Sequence, residues 1–283
     1  MMLVKFNTAA DKQSRLALDD GTALYDLSAR YPSLRSFLEV YPDLQDGGAY
    51  RDFPAVARDV IRCTIPVDEG SHIYLVGANY KTHAVEAGLD VPLTPVIFQK
   101  PSTALVGGGE PILLPPISSQ MDYEGELAVV IGRTASRVPK SEAHRYVAGL
   151  TIVNDVTARD LQWVMLGKNR IVDWLSSKSL DKSTPIGPGV VPAGSVPDIH
   201  RLGIKTWLNG NLMQDGNTSM MVFSTYELIE FLSARVTLRP GDVISTGTPY
   251  GVGGFRNIFL KPGDILEVQI EGVGKLTNPI LQS

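Results

Sequence analysis

Apolar and polar positions along this chain alternate in short runs rather than in long helical waves. Residues 2–6 (Met-Leu-Val-Lys-Phe) and 15–18 (Arg-Leu-Ala-Leu) read as strands, with the turn signal Asp19-Asp20-Gly21 behind the second. Residues 34–40 and 51–63 read as short helices. The stretch from Cys63 to Gly70 is a connector, which puts a boundary near residue 66. It divides a small N-terminal α+β accessory domain, 1–66, from a larger domain, 67–283. Beyond it, strands are expected at 72–77, 96–100, 122–132, 147–155, 204–209, 242–246 and 264–270. A short extended piece at 111–116 is confined to an edge by its prolines. Helical patterns are few, at 141–146, 157–166 and 224–235. Strands without regularly alternating helices argue against a doubly wound sheet or a TIM barrel. The expected fold class is α+β, mostly β, with a mixed β-roll or barrel-like second domain.

Composition changes this picture little. The chain has 283 residues, 43% hydrophobic and 20% charged, with a formal net charge of −4. Such a chain can bury a large core, and it lacks the basic excess that a nucleic-acid or anionic-membrane partner would call for. Its one cysteine, Cys63, allows neither an intrachain disulfide nor a Cys-based zinc cluster. The first residues lack an apolar signal-peptide core, and no run approaches 18 apolar residues. The expectation is a soluble, cytoplasmic protein. No P-loop, Gly-x-Ser-x-Gly or His-Glu-x-x-His motif occurs. The glycine run Val106-Gly-Gly-Gly-Glu110 meets Pro111 rather than a helix, so it is a turn and not a phosphate cradle.

The candidate chemistry begins at Met121-Asp-Tyr-Glu-Gly-Glu-Leu-Ala-Val-Val-Ile131. Side chains alternate faces along a strand, so Glu124 and Glu126 point the same way, with Cα atoms roughly 6.5–7 Å apart. Asp122 shares that face. Like charges so placed need solvent or a cation. Asp155 ends an apolar strand in front of Thr157-Ala-Arg-Asp-Leu-Gln162, where it is either a helix cap or a ligand. The Glu pair, by itself, also suits a solvated strand edge. Three carboxylates suit a hard cation, Mg²⁺, Mn²⁺ or Ca²⁺, rather than zinc. His83 and Glu86, spaced i,i+3, would share one face of a short helix as a surface pair or as a base with its orienting acid. Lys178, in Trp174-Leu-Ser-Ser-Lys-Ser-Leu-Asp181, is either an exposed lysine or a partner for an anionic substrate. Thr248, in the turn after 242–246, could meet a carboxylate or could serve only the turn.

Taken in order, these motifs resemble the fumarylacetoacetate hydrolase family over about Ile73 to Asn278. The landmarks are Gly77-x-Asn-Tyr-x-x-His-x-x-Glu86, Pro95-x-x-Phe-x-Lys-Pro-Ser102, Asp122-Tyr-Glu-Gly-Glu-Leu127, Asn154-Asp-Val-Thr-Ala-Arg-Asp-Leu-Gln162, Lys178 with Asp181, and Leu238-x-Pro-Gly-Asp-Val-Ile-x-Thr-Gly-Thr-Pro-x-Gly-Val-Gly253. The resemblance implies a β-roll catalytic domain, a homodimer, and Mg²⁺ or Mn²⁺ (Ca²⁺ in some members) held by Glu124, Glu126 and Asp155. It implies a His83–Glu86 dyad, with Lys178 at the chemistry and Arg159, Gln162, Tyr80 and Thr248 against the substrate. Asp122 is then expected to orient its neighbours rather than to bind metal.

The activity so implied is metal-dependent hydrolysis of a C–C bond in an acylpyruvate-type 2-oxo acid through a metal-stabilised enolate. His83, held by Glu86, would take a proton from water. The same electrophilic platform would serve decarboxylation of an oxaloacetate-type acid or isomerisation of a 2-hydroxy-diene-dioate; a non-catalytic 2-oxo-acid binder is the remaining alternative. Residues 81–93 are expected to form a lid. Leu89, Val91, Tyr250 and Phe255 are candidates for the pocket wall.

Overall fold

The computed structural model describes residues 1–45 and 48–283. A twelve-stranded sheet forms its centre. Its strands run in the spatial order Ala55–Val56, Leu24–Asp26, Arg15–Asp19, Met2–Thr8, Thr184–Pro192, Val147–Asn154, Gly125–Ile131, Val243–Ser245, Ile73–Gly77 and Val96–Lys100. Ile61–Cys63 pairs beside Met2–Thr8, and Leu105–Gly107 beside Thr184–Pro192. This path is open rather than closed into a barrel. A second sheet of five strands runs Asn211–Asn217, Gly203–Leu208, Ile265–Ile270, Gly274–Gln282, Ile112–Leu114. The mostly β class expected from the sequence is the class found.

Gly125–Ile131 is the axis of the central sheet, and every one of its residues is buried. Alternation sends its side chains into two different cores. Leu127, Val129 and Ile131 pack with Ile204, Val268 and Ile270 of the second sheet and with Leu228, Ile229 and Leu232 of the helix Thr225–Ser233. Ala128 and Val130 pack with Leu34, Phe37 and Leu38 of the N-terminal helix Leu34–Leu38. A strand buried on both faces reads as a continuous apolar run, and this one does after Glu126. The N-terminal strands join the same sheet where Leu3 pairs with Val190. The boundary expected near residue 66 falls in the connector between Ile61–Cys63 and Ile73–Gly77.

Two expected helices are corrected. Within 51–63 the chain makes the 3₁₀ turns Ala49–Asp52 and Arg58–Val60 and the strands Ala55–Val56 and Ile61–Cys63. Pro54 lacks an N–H and holds Phe53 extended, at φ −89 and ψ 156, so no helix passes through it. Within 157–166, Thr157–Ala158 pairs with Met121–Asp122, a 3₁₀ turn follows at Arg159–Leu161, and Trp163–Leu166 forms a hairpin with Asn169–Val172. Gly167 turns that hairpin with a positive φ of 63. Two central elements were not anticipated. Thr184–Pro192 carries three prolines, and its register against Val147–Asn154 shifts between Leu150 and Ile152, passing over Pro188. Gly274–Gln282 closes the second sheet against Ile112–Leu114. Among the described residues, no helix is long and apolar enough to cross a membrane.

Candidate metal and substrate centre

Antiparallel register assembles the acidic centre. Gly125 pairs with Asn154, and Glu126 with Val153. Asp155 N donates to Glu124 O at 2.8 Å, and Glu124 N to Asn154 Oδ1 at 2.9 Å. The residue that leaves one strand therefore lies beside the residue that enters the other. Carboxylate oxygens of Glu124, Glu126 and Asp155 come within 4.8 Å of one another, and all three side chains are buried. Gly125 permits this arrangement, because a Cβ there would collide with Thr206 and Val268 of the second sheet.

Each acid has a different environment. Glu124 accepts from Arg159 Nη2 at 2.5 Å and from Lys178 Nζ at 2.7 Å. Burial would raise it, but Lys178 and Arg159 outweigh burial and hold its carboxyl below the usual range. Asp155 lies 2.5 Å from Lys178 Nζ through Oδ2 and 2.6 Å from Lys100 Nζ through Oδ1. Burial leads there and raises it, against the pull of both lysines. Glu126 has only neutral donors, Ser245 Oγ at 2.5 Å and Gly247 N at 2.9 Å, both on Oε2. Burial, and then the charges of Asp155 and Glu124, push it well above the carboxylate range.

Asp122 stays out of the triad, as expected. It accepts from Gly253 N and Gly254 N at 2.7 and 2.8 Å and from Arg159 Nε at 2.8 Å. It thereby fixes Arg159 and the Gly253–Arg256 turn together. Four buried carboxylates thus face two buried cations, Lys100 and Lys178, and the half-buried Arg159. With all of them ionised, one negative charge is left over. A divalent cation would turn that surplus into one positive charge, which an anionic substrate would match. The oxygen-only donor set of three converging buried carboxylates suits Mg²⁺ or Mn²⁺.

A cavity of about 590 Å³ opens over these acids. Glu124, Glu126, Asp155, His83, Arg159, Gln162, Lys178 and Thr248 all line it. His83 lies on the helix Lys81–Glu86, with Nδ1 3.5 Å from Glu86 Oε2. Glu86 also accepts from Gly251 N at 2.9 Å. Burial opposes its ionisation, but the bonds from His83 and Gly251 prevail and lower its pKa. Lys178 ends the helix Trp174–Lys178, which Asp173 caps through Ser176 N at 3.0 Å. Trp174 stacks on Phe98 at 4.6 Å, and Lys178 Nζ stands 5.0 Å from the same ring.

Thr248 and Tyr80, both expected against the substrate, differ in placement: Thr248 lines the cavity and Tyr80 does not. The Thr248 hydroxyl donates to Gly125 O at 3.0 Å and accepts from Gln214 Nε2 at 2.8 Å, so it holds the start of the strand. Tyr80 is fully buried near Glu126 and Thr246 and is not a lining residue. Of the wall candidates, Leu89 and Phe255 line the cavity; Val91 and Tyr250 do not. The helix and loop after Lys81 contribute His83, Ala87 and Leu89 to the wall, on the segment where a lid is expected.

Sequence reasoning missed three features. Lys100 stands in the landmark Pro95-x-x-Phe-x-Lys-Pro-Ser102 but was given no role at the site, since its partners Asp155, Val156 and Thr184 are distant in the chain. Gln214 bonds Gly125 N through Oε1 as well as Thr248, across two sheets. The hairpin 163–172 brings Trp163, Arg170 and Val172 to the cavity mouth.

A profile described as "Fumarylacetoacetate (FAA) hydrolase C-terminal" matches residues 72–281. The mitochondrial oxaloacetate tautomerase fahd2 of Xenopus laevis is 39% identical over 292 residues, covering 99% of this chain and 90% of that protein. The 5-carboxymethyl-2-hydroxymuconate delta-isomerase of Mycobacterium smegmatis superposes with a TM-score of 0.78 at 32% identity, over 100% of this chain and 99% of that one. The maleylpyruvate hydrolase of Sphingobium sp. SYK-6, solved in complex with manganese(II) ion and pyruvate, gives a TM-score of 0.80 at 26% identity over the whole of both chains. The acidic centre, the dyad on its short helix and the matched length together make this chain a member of the fumarylacetoacetate hydrolase family.

Proposed function

We propose that this protein is a divalent-metal-dependent enzyme that interconverts the keto and enol forms of a short anionic 2-oxo acid of the oxaloacetate type. One observation carries the reading: three buried carboxylates converge beneath a cavity that Arg159, Lys178 and His83 also line. The 39% identity to an oxaloacetate tautomerase over nearly the full chain supports the substrate class. Mg²⁺ or Mn²⁺ held by Glu124, Glu126 and Asp155 would supply Lewis-acid stabilisation of negative charge on the substrate oxygens.

The chain's own groups do the rest. Arg159 and Lys178 place fixed positive charge beside the substrate carboxylate, with no reorganisation needed at the moment of reaction. Glu86 faces the Nδ1 side of His83, which leaves Nε2 for proton transfer. Nε2 takes a proton from C3 of the keto acid, and a proton is returned to the carbonyl oxygen as the enol forms. The exchange is balanced and consumes no water. Buried Lys100 neutralises Asp155 from behind the site.

A second reading, hydrolysis of an acylpyruvate, is favoured by the cavity itself. Its volume of about 590 Å³ exceeds what a four-carbon acid fills, and Leu89, Val96, Phe255 and Phe259 make part of its wall apolar. There His83 would activate water for attack on the distal carbonyl, and the C–C bond would break to give two acids.

Three assays with Mg²⁺ and with Mn²⁺ separate these outcomes: loss of the enol absorbance of oxaloacetate, pyruvate formed from acetylpyruvate, and CO₂ released from oxaloacetate. The proposal expects the first to be accelerated most. Acceleration of only the second selects hydrolysis, and activity in none of them sinks both readings.

A further inference from the structure

We propose that Arg170 determines substrate specificity by binding a carboxylate at the far end of the substrate, so that the site prefers 2-oxo dicarboxylates over 2-oxo monocarboxylates. The inference rests on the functional reading above and adds the group that recognises the other end of the molecule.

The cavity's inner cations are already matched. Arg159 is bound to Asp122 and Glu124, and Lys178 to Glu124 and Asp155. Arg170 lines the same cavity but lies exposed at its mouth, and no carboxylate among the described residues is within ion-pair distance of it. Its contact is with an aromatic ring: the guanidinium carbon stands 4.1 Å from the centre of Trp163.

The hairpin's register explains the placement. Trp163 pairs with Val172, and Met165 with Arg170. Trp163, Arg170 and Val172 therefore share one face of the ribbon, with Trp163 and Arg170 as diagonal neighbours. All three are lining residues, so this is the face that meets the cavity.

A guanidinium stacked on an indole uses its flat face there and keeps its N–H edge free. That edge offers paired donors with the spacing of a carboxylate. Stacking also restricts the rotamers of a long side chain before ligand arrives, which lowers the ordering cost of binding. Val172, Leu89 and Phe255 make the neighbouring wall apolar. The middle of the substrate meets carbon, and its far end meets a lining cation that no acid among the described residues neutralises.

The test uses metal-loaded full-length protein and the variants Arg170→Gln and Arg170→Lys. For oxaloacetate, Arg170→Gln should raise KM roughly ten- to a hundredfold, the range of a charge-assisted hydrogen-bonded pair, with kcat nearly unchanged. Arg170→Lys should recover part of that loss. KM for acetylpyruvate, whose far end is a methyl group, should stay within about twofold in both variants, because it has no such pair to lose. Calorimetric binding of pyruvate, 2-oxoglutarate and 2-oxoadipate to Mn²⁺-loaded protein reads the same clamp without turnover. Arg170→Gln should weaken the dicarboxylate of favoured length and leave pyruvate as it was. Equal loss for both substrate classes, or loss for neither, overturns the proposal. If wild-type protein turns over no 2-oxo acid but binds dicarboxylates through Arg170, the clamp stands and the catalytic reading falls.

Discussion

Glu126 differs from its neighbours in being the triad member without a cationic partner. Glu124 and Asp155 each lean on lysine or arginine, whereas Glu126 is held by Ser245 and the Gly247 amide. Its raised pKa means that, without metal, the folded state favours the protonated acid. The stability it contributes is present at low pH and is lost as pH rises through its elevated pKa. A bound divalent cation reverses that preference, so Mn²⁺ affinity should increase with pH over that interval and binding should release a proton. Glu126→Gln should remove Mn²⁺ binding and metal-dependent activity across this pH range. It should also leave the metal-free melting temperature nearly unchanged below that elevated pKa and higher above it, because the neutral amide replaces a carboxyl that would otherwise have to ionise in a buried site. His83→Ala should remove turnover while leaving Mn²⁺ affinity nearly intact; equal loss of both would give His83 a structural part. Lys100 is the opposite case. Lys100→Met strips Asp155 of a fully buried partner and should destabilise the protein by about 3 kcal/mol, read by urea denaturation.

Among the elements, the strand Gly125–Ile131 has the least freedom. Gly125→Ala would drive a Cβ into Thr206 and Val268. The expected cost is about 1–3 kcal/mol, together with reduced Mn²⁺ affinity as Glu124 and Glu126 shift. The helix Thr225–Ser233 allows a separate test of pH dependence. Burial would raise Glu227, but hydrogen bonds from Ser224 and Lys140 outweigh it and bring its carboxyl down to about 2. A depressed carboxylate adds stability above its ordinary pKa and loses it as pH falls toward the depressed value. The advantage of wild type over Glu227→Gln should thus be full at pH 6 and shrink below about pH 4.3, in line with the ordinary carboxylate pKa. Ser224→Ala should cost about 1 kcal/mol as the cap is lost. This helix was legible in the sequence, since Ser224 and Glu227 spell a capping box before an apolar face. Parity put Glu124 and Glu126 on one face, and the family resemblance turned that pair into expected ligands. The hairpin 163–172 was not, because the apolar run Trp163-Val-Met-Leu166 continues without punctuation from Thr157-Ala-Arg-Asp-Leu-Gln162 and mimics a helix. Thr184–Pro192 was hidden by its prolines, which a register shift accommodates.

For the whole molecule, the two-core arrangement explains why the acids can be buried at all. The second sheet and the N-terminal elements clamp the central sheet from opposite faces, so the strand ends that carry Glu124 and Asp155 are fixed before any ligand arrives. The sequence foretold the acids and the cations Lys178 and Arg159, but not the part played by Lys100 or by the neutral Gln214. Lys100 and Gln214 reach the site from strands far away in the chain, and pairing at that distance leaves no local pattern. A homodimer, implied by family resemblance, stays a proposal that light scattering on the purified protein would check.

The central claim is that Glu124, Glu126 and Asp155 form one divalent-cation site that also receives the 2-oxo acid. Electron paramagnetic resonance of Mn²⁺ titrated into metal-stripped protein tests it most directly. The account predicts one bound Mn²⁺ per chain, a spectrum that changes when pyruvate is added, and loss of both in Glu126→Gln while circular dichroism shows the fold retained. Stoichiometric Mn²⁺ binding that survives in Glu126→Gln, or a bound-Mn²⁺ spectrum indifferent to pyruvate, would contradict it.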